Sequence, residues 1–142
     1  MAESKTGKYI IKEMKPNLKP AAYSFDPVKT AGMWKRVLFM DGDYPPGAFY
    51  LTCSWFLKKT APEGMKAHAH KFDEALAFFG TDPDDPYNLN GEVELWLDGE
   101  KHLLTRSCIV FVPKGMKHCP LIINRVDKPI FHFTTGPSNV YR

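Results

Sequence analysis

The feature that most constrains the fold of this sequence is the density of its turn-forming residues. Twelve prolines and ten glycines are spread over 142 residues, and the segments between them are short and rich in aromatic and β-branched side chains. Proline and glycine interrupt helices and form turns, whereas aromatic and β-branched residues favour extended chain. The pattern predicts a succession of short strands and turns, and therefore an all-β barrel or sandwich.

The length fits one domain, because a single core normally closes at about 100 to 150 residues. We expect a single domain over residues 1–142, with an N-terminal arm over 1–34 and the β-barrel over 35–142. In the arm, Lys15-Pro16 and Lys19-Pro20 work against a helix. A long arm and an open strand edge both need covering, so we also expect a homodimer.

Composition and charge argue against several classes of protein. The net charge of +3 is small and evenly spread, so no nucleic-acid partner is expected. No apolar run approaches the ~20 residues of a membrane span, and the polar start MAESKTGKYIIKEMKP does not resemble a signal peptide. Cys53, Cys108 and Cys119 are widely spaced and form no CxxC pair. This usage is typical of a reduced compartment, so we expect a cytoplasmic protein without a membrane partner.

Individual strands are predicted from runs of β-branched and aromatic residues between turn signals. The clearest is a hairpin, in which residues 92–97 and 100–104 flank Asp98-Gly99, a type I′ turn signal. A polar, acidic loop over 80–91 precedes it and is either a solvated excursion or a lid or dimer contact. The remaining predicted strands are 35–40, 48–59, 105–112, 118–126 and 130–135.

Two of the five histidines lie one residue apart in 65-MKAHAHKFDE-74. His68, His70 and Glu74 share one parity with the apolar Phe72, Leu76 and Phe78, which predicts one face of a continuous strand or of a strand with a tight turn. A helix would instead separate the two imidazoles by about 200°. On a strand, both rings can reach one ion.

A second segment, 113-PKGMKH-118, follows about forty residues later and places His118 just after a tight Pro-x-Gly turn. A histidine at the start of a neighbouring strand is well placed to complete a site with His68, His70 and Glu74. Three imidazole nitrogens and one carboxylate suit a divalent transition metal, namely iron(II), manganese, nickel, cobalt or zinc. The sequence therefore predicts one such metal ion per chain.

The patterns HxHxxxE and PxGxxH resemble the two motifs of the cupin superfamily. The resemblance implies a cupin-type double-stranded β-helix, a jelly-roll barrel, with the metal held by His68, His70, Glu74 and His118. Departures from the motifs fall outside these four positions. Gly64 and Gly80 are displaced from the usual glycine positions, Ser107 replaces the leading glycine of the second motif, and Ile122 stands where an asparagine is usual.

The implied function is a metal-dependent enzyme that activates a small oxygen-bearing organic substrate by Lewis-acid chemistry. Aromatic walls extend the substrate class to aromatic-derived molecules. A dioxygenase, a lyase, a hydrolase and an isomerase all remain open, as does the use of oxygen. The alternative is a non-catalytic cupin that binds or senses a small molecule through its metal.

Other polar residues are assigned with alternatives. His132 shares a strand face with Ile130 and Thr134 and is either a catalytic acid or base or a core histidine. His102 is expected to be exposed, and Arg106 and Lys58 either bind a substrate carboxylate or form surface ion pairs. The core, or the wall of a pocket, is expected to take the large aromatic side chains Tyr50, Trp55, Phe78 and Trp96.

Overall fold

The computed structural model describes residues 4–18, 29–60 and 64–140. Within these ranges the regular structure is eight strands and one short 3-10 helix, Gly7–Tyr9, which confirms the all-β prediction. The strands are β1 Trp34–Met40, β2 Leu51–Phe56, β3 Glu74–Phe79, β4 Asn88–Leu97, β5 Glu100–Arg106, β6 Cys108–Val112, β7 His118–Val126 and β8 Ile130–Thr135.

The strands form two antiparallel sheets, as expected for a cupin-type jelly roll. One sheet has the order β1-β2-β8-β3-β6 and the other the order β5-β4-β7. Burial alternates along the strands, as in β8, where Ile130, His132 and Thr134 point inward and their neighbours lie on the outer face. The core lies between the sheets and is formed by side chains of both, including Phe56, Leu76, Phe78, Leu89, Leu95, Leu121 and Ile123.

Most predicted strands are found near the predicted positions. β7 and β8 have the predicted bounds, and the β4–β5 hairpin turns at Asp98 and Gly99, whose φ angles of 49° and 81° fit the predicted type I′ turn. The predicted strand 48–59 is shorter, and the loop 80–91 ends early because β4 already begins at Asn88.

The predicted strand 105–112 is divided at Ser107. The Ser107 hydroxyl accepts a hydrogen bond from the Gly80 nitrogen at 2.9 Å and donates one to the Pro86 carbonyl at 2.7 Å. A Cβ on Gly80 would lie 1.9 Å from the Asn88 carbonyl oxygen, so the close approach of these chains requires glycine there. The serine that departs from the motif therefore fastens the start of the loop after β3.

The histidine segment does not form one continuous strand with Glu74, which corrects the first of the two predicted alternatives. β3 begins only at Glu74, and a bend at Lys71 and Phe72 separates it from the histidines. His68 instead forms an isolated bridge with His118. The backbone before the bend pairs with β7 and the backbone after it pairs with β6 and β8, so the segment changes partner at this point.

The N-terminal arm is described only in part, since residues 1–3 and 19–28 of the predicted arm lie outside the described residues. Lys15 forms an ion pair with Asp41 at 2.6 Å, and the Tyr44 hydroxyl donates to the Glu13 carbonyl at 3.1 Å. The described portion around residues 13–15 thus packs on its own chain. Among the described residues no helix has the length and apolar character needed to cross a membrane.

Candidate metal centre

Backbone pairing holds the histidine segment against the start of β7. His68 and His118 each donate a backbone hydrogen bond to the other's carbonyl at 2.9 Å. The Gly115 nitrogen donates to the His70 carbonyl, also at 2.9 Å. The bridge and the turn at 113–116 therefore place His118 next to both of the other histidines.

The three imidazoles converge on one point. One ring nitrogen each of His68, His70 and His118 lies within 4.8 Å of the others. Glu74 lies against two of these rings, with Oε2 3.4 Å from His70 Nε2 and Oε1 3.2 Å from His118 Nε2. His68 is half-buried and the other three residues are buried. All four residues predicted as ligands are thus brought together, and their role as ligands stays a prediction.

Hydrogen bonds to backbone carbonyls orient two of the rings. His68 Nδ1 lies 2.7 Å from the Lys66 carbonyl oxygen, and His118 Nδ1 lies 3.3 Å from that of Met116. A carbonyl accepts only, so these nitrogens carry the proton in the neutral rings and each Nε2 presents its lone pair. Metal-ligating histidines characteristically use the second ring nitrogen in this way.

The Nε2 of His118 and the carboxylate of Glu74 then face each other as two acceptors. His118 Nε2 is buried and has no hydrogen-bond partner among the described residues. A buried acceptor opposite a carboxylate oxygen at 3.2 Å is costly unless a cation lies between them. The residues present therefore fit a metal ion, and nitrogen with carboxylate oxygen is a donor set suited to a transition metal.

Tyr50 fixes the far side of the carboxylate. Its hydroxyl is fully buried and donates to Glu74 Oε2 at 2.6 Å. Burial alone would raise the pKa of Glu74, but the contacts with His118, Tyr50 and His70 outweigh it and hold the pKa below its usual value. The carboxylate is therefore ionised at neutral pH, as a metal ligand must be.

Burial also keeps His68 neutral. Desolvation lowers its pKa to about 4, and the neighbouring imidazoles of His118 and His70 add to this. A neutral imidazole is the form that binds a metal ion. At pH 7 His68 is therefore ready to ligate without first losing a proton.

Comparison with solved structures places this architecture among known folds. A sugar phosphate isomerase of the cupin superfamily from Silicibacter pomeroyi matches with a TM-score of 0.52 and 15% identity, over 82% of this chain and 66% of that one. Recombinant oxalate oxidase in complex with glycolate matches with a TM-score of 0.53 and 11% identity, over 82% of this chain and 56% of that one. The chain has the cupin fold.

Another cupin, an RmlC-like protein from Shewanella frigidimarina NCIMB 400, is 21% identical over 84% of this chain and 93% of its own, with a TM-score of 0.47. No family model and no curated protein sequence matches the chain. Sequence identities this low indicate the fold but not the reaction, because proteins with one fold can have many activities. The resemblance read from the two motifs is thus confirmed at the level of the fold.

The cupin barrel contains a cavity that begins at the metal centre and runs between the sheets. Its walls include Glu74, His68 and His118 at one end, and side chains of β1, β2 and β8 at the other. His132 lines the second end, as one of its two predicted alternatives requires.

His132 is held between two aromatic rings. Its imidazole stacks on Phe78 and Phe56 at centroid distances of 4.5 and 5.1 Å, and its Nδ1 lies 2.9 Å from the Ala77 carbonyl oxygen. Complete burial lowers its pKa to about 4, with Arg36 contributing in the same direction. The ring is therefore neutral at pH 7 and cannot serve as a proton donor from the imidazolium form. Its catalytic role stays a hypothesis, restricted to the neutral ring.

Two residues near the site were not predicted in these roles: Arg36 at the cavity, and Tyr50 as a partner of Glu74. Arg36 lines the cavity, whereas the predicted carboxylate partners Arg106 and Lys58 are exposed, Arg106 lying over the Tyr87 ring. Parity within β1 could have indicated an inward Arg36, but it needs the position of the β-bulge between Arg36 and Leu38. Tyr50 precedes β2 and shares no motif with Glu74, so no sequence signal pairs them.

Proposed function

We propose that this chain is a metal-dependent cupin enzyme that binds one divalent transition metal ion through His68, His70, Glu74 and His118. The observation that carries the proposal is the buried His118 Nε2, which faces the Glu74 carboxylate and has no hydrogen-bond donor among the described residues. The ion is iron(II), manganese, nickel, cobalt or zinc. Its substrate is a small organic molecule with a coordinating oxygen, aromatic-derived molecules included.

When bound, the metal would supply Lewis-acid chemistry to a substrate oxygen. The protein residues then have distinct tasks around it. Glu74 and the three imidazoles hold the ion, and Tyr50 orients Glu74 by its hydrogen bond. Apolar side chains, including Phe56 and Leu76, form part of the cavity wall beside these polar groups. Neutral His132 is placed to accept a hydrogen bond or a proton from a substrate group.

The type of reaction remains open among dioxygenase, lyase, hydrolase and isomerase. The similar structures include an oxalate oxidase and a sugar phosphate isomerase, two different chemistries on one fold. Direct analysis of the bound metal, prepared with and without oxygen, is the first measurement to make. Iron retained under anaerobic conditions would favour oxygen chemistry, whereas zinc or nickel would favour the other classes.

The metal site is tested by elemental analysis of protein purified without a histidine tag. We expect about one equivalent of transition metal per chain, lost in His68→Ala because one of three converging imidazoles is removed. His102→Ala is the matched control, since that histidine is only partly buried, lies on β5 and pairs with Glu100. Metal absent from the wild-type protein, or equally reduced in both variants, would refute the site.

A turnover assay distinguishes an enzyme from a cupin that only binds or senses a small molecule. Phenols, diketones and hydroxy acids are screened for product formation and for binding in the metal-loaded protein. Turnover that is lost in His118→Ala establishes an enzyme. Tight binding without product, under each of the five metals, establishes a sensor instead.

We also propose a homodimer. Phe49, Ile109 and Phe111 are 55%, 68% and 61% exposed, and the latter two lie on β6 at the open edge of its sheet. A two-fold axis would let two copies cover the same apolar patch on each other. Light scattering should report a dimer that becomes monomeric in Phe111→Lys but not in Leu103→Lys, an equally apolar but separate exposed position. A monomeric wild-type protein would contradict the proposal.

We place the protein in the cytoplasm. All three cysteines, Cys53, Cys108 and Cys119, are free thiols, and burial raises the pKa of each of them. Unpaired thiols are typical of proteins in reducing compartments. Fractionation of cells that express the chain is the corresponding measurement.

A further inference from the structure

The end of the cavity opposite the metal centre is polar. Register across the five-stranded sheet aligns Arg36 with Ser54 and Ser54 with His132. A second row aligns Thr52 with Thr134. These five side chains all line the cavity. Neighbouring strands therefore direct one guanidinium, three hydroxyl groups and one imidazole towards the space next to the metal centre.

This wall contains one permanently charged side chain among the described residues. Arg36 is the one permanently charged cation among the described residues that line the cavity, because a guanidinium keeps its proton. Its guanidinium carbon lies 5.6 Å from the ring centroids of both Trp34 and Phe39, and these contacts orient it. The carboxylate of Glu74 at the other end is already engaged by Tyr50 and faces the histidines.

Two of the hydroxyl groups lack partners. Thr52 Oγ1 and Thr134 Oγ1 are buried and make no hydrogen bond within the described part of the chain. Both residues are at least nine-tenths buried, at 5% and 4% exposure. Buried hydroxyl groups normally have a partner, so their arrangement around the cavity points to a ligand with acceptor oxygens.

We infer that the cavity takes a small carboxylic acid whose carboxylate lies against Arg36, Thr52 and Thr134 while a second oxygen, from a hydroxyl, keto or enol group, reaches the metal centre. The inference rests on the proposed function and narrows its substrate class to organic anions. A carboxylate matches the planar fork of a guanidinium and carries one negative charge. The donors among the described cavity residues are one guanidinium and neutral hydroxyl groups, which suit a singly charged carboxylate better than a phosphate monoester with nearly two charges.

The test compares acids with neutral counterparts in the metal-loaded full chain. Lactate and mandelate are titrated by calorimetry against propane-1,2-diol and 1-phenylethane-1,2-diol, with phenyl phosphate as a third arm. Arg36→Gln should weaken acid binding about 10- to 100-fold, since a charge-assisted hydrogen bond is removed. Diol binding should change less than about two-fold. Lys35→Gln, on the exposed face of the same strand, is the matched control and should leave both affinities unchanged.

Two further variants keep the test valid if Arg36→Gln folds poorly. Arg36→Lys keeps the charge but loses the fork, so it should weaken acids less than Arg36→Gln does. Thr134→Val keeps the shape and should weaken acids about 3- to 10-fold. Four outcomes would each overturn the inference. They are acid affinity that is unchanged in these variants, equal affinity for acids and diols, a preference for phenyl phosphate, and no acid binding up to the solubility limit.

Failure here is distinguishable from failure of the metal site. Metal content is measured on every variant, and Arg36→Gln should retain about one equivalent because Arg36 lies on β1, away from the four proposed ligands. If the wild-type protein holds no metal, the titrations are repeated on the metal-free chain. Acid binding that still depends on Arg36 would then support the anion site while the proposed metal function fails.

Discussion

The two ends of the cavity are built in different ways. At the metal end, four side chains come from a bridged segment, the first residue of β3 and the first residue of β7, and they face one another. At the other end, Arg36, Thr52 and Thr134 come from three adjacent strands of one sheet and line the cavity between the sheets. The geometry of the first end fits an ion, whereas the second end presents hydrogen-bonding groups to the cavity.

We therefore expect the two ends to tolerate substitutions differently. Groups at the metal end are in mutual contact, with the Glu74 carboxylate shared by His70, His118 and Tyr50, so removing one disturbs all. At the other end, Thr52 and Thr134 make no hydrogen bond to their neighbours within the described residues, so substitutions there should be less strongly coupled. Contacting residues show large coupling energies, whereas separated ones are nearly additive.

The largest expected effect is at the metal end. Glu74→Gln keeps the shape but removes the negative charge, so metal affinity should fall by about 100-fold or more. The wild-type protein should gain about 2.7 kcal/mol of stability at a metal concentration 100 times Kd, and the variant should gain almost none. Thermal unfolding with and without manganese or zinc measures both. Glu100→Gln, at an exposed carboxylate on β5, is the control. An equal stabilisation of the wild type and Glu74→Gln would show that Glu74 is no ligand.

The next effect concerns the other end and its dependence on pH. His132 has a folded pKa of about 4 against about 6.5 in the unfolded chain, so between these values the unfolded state binds more protons. Stability therefore falls as the pH drops from 6.5 to 4, by about 3 kcal/mol in total for this group. His132→Phe, whose ring can occupy the space between Phe56 and Phe78, should lack this loss.

Urea unfolding of metal-free protein at several pH values tests this prediction. Metal must be removed from both proteins with a chelator, because metal binding would itself depend on pH. The quantity to follow is the difference between wild type and His132→Phe, which should shift in favour of the variant as the pH falls. A difference that stays constant between pH 7 and pH 4 would contradict burial of a neutral imidazole at this position.

The same contrast explains what the sequence could predict. The four side chains predicted as ligands lie in two short motifs with fixed spacing, and the structure brings all four together, whereas the contact of Tyr50 with Glu74 was not predicted. The polar side chains of the other end were not assigned, apart from His132, because they lie on three strands. Whether these side chains lie close together depends on the register of β1 with β2 and of β2 with β8. The first of these pairings includes a bulge after Arg36.

Secondary structure shows a similar division. β7 and β8 were predicted to the residue, because their alternation and flanking turns are local signals. The alternation of residues could not tell whether a bend separates His70 from Glu74. The bend depends on partners that are distant in sequence, on β7 and in the turn before it. Ser107 divides a predicted strand for the same reason, as its hydroxyl binds Gly80 and Pro86.

The smallest of the three effects links the metal centre to its surroundings. Tyr50→Phe removes the hydrogen bond to Glu74 Oε2 but leaves a ring that still packs on Phe72. Loss of an outer hydrogen bond typically lowers metal affinity by 10- to 100-fold, and we expect about 10-fold because Glu74 keeps its charge and its contacts with two histidines. Competition with a chromogenic chelator measures the change. Tyr87→Phe, at an exposed tyrosine, is the matched control.

The Tyr50 result also decides how far the two ends are independent. Because Tyr50 contacts Glu74 and Phe72, the variant should lower metal affinity while leaving the acid affinity of the metal-saturated protein within about two-fold. Equal losses in metal and acid affinity would mean that the cavity responds as one unit, and the contrast between a coupled end and an additive end would then be wrong. Unchanged metal affinity would instead remove Tyr50 from the residues that position Glu74.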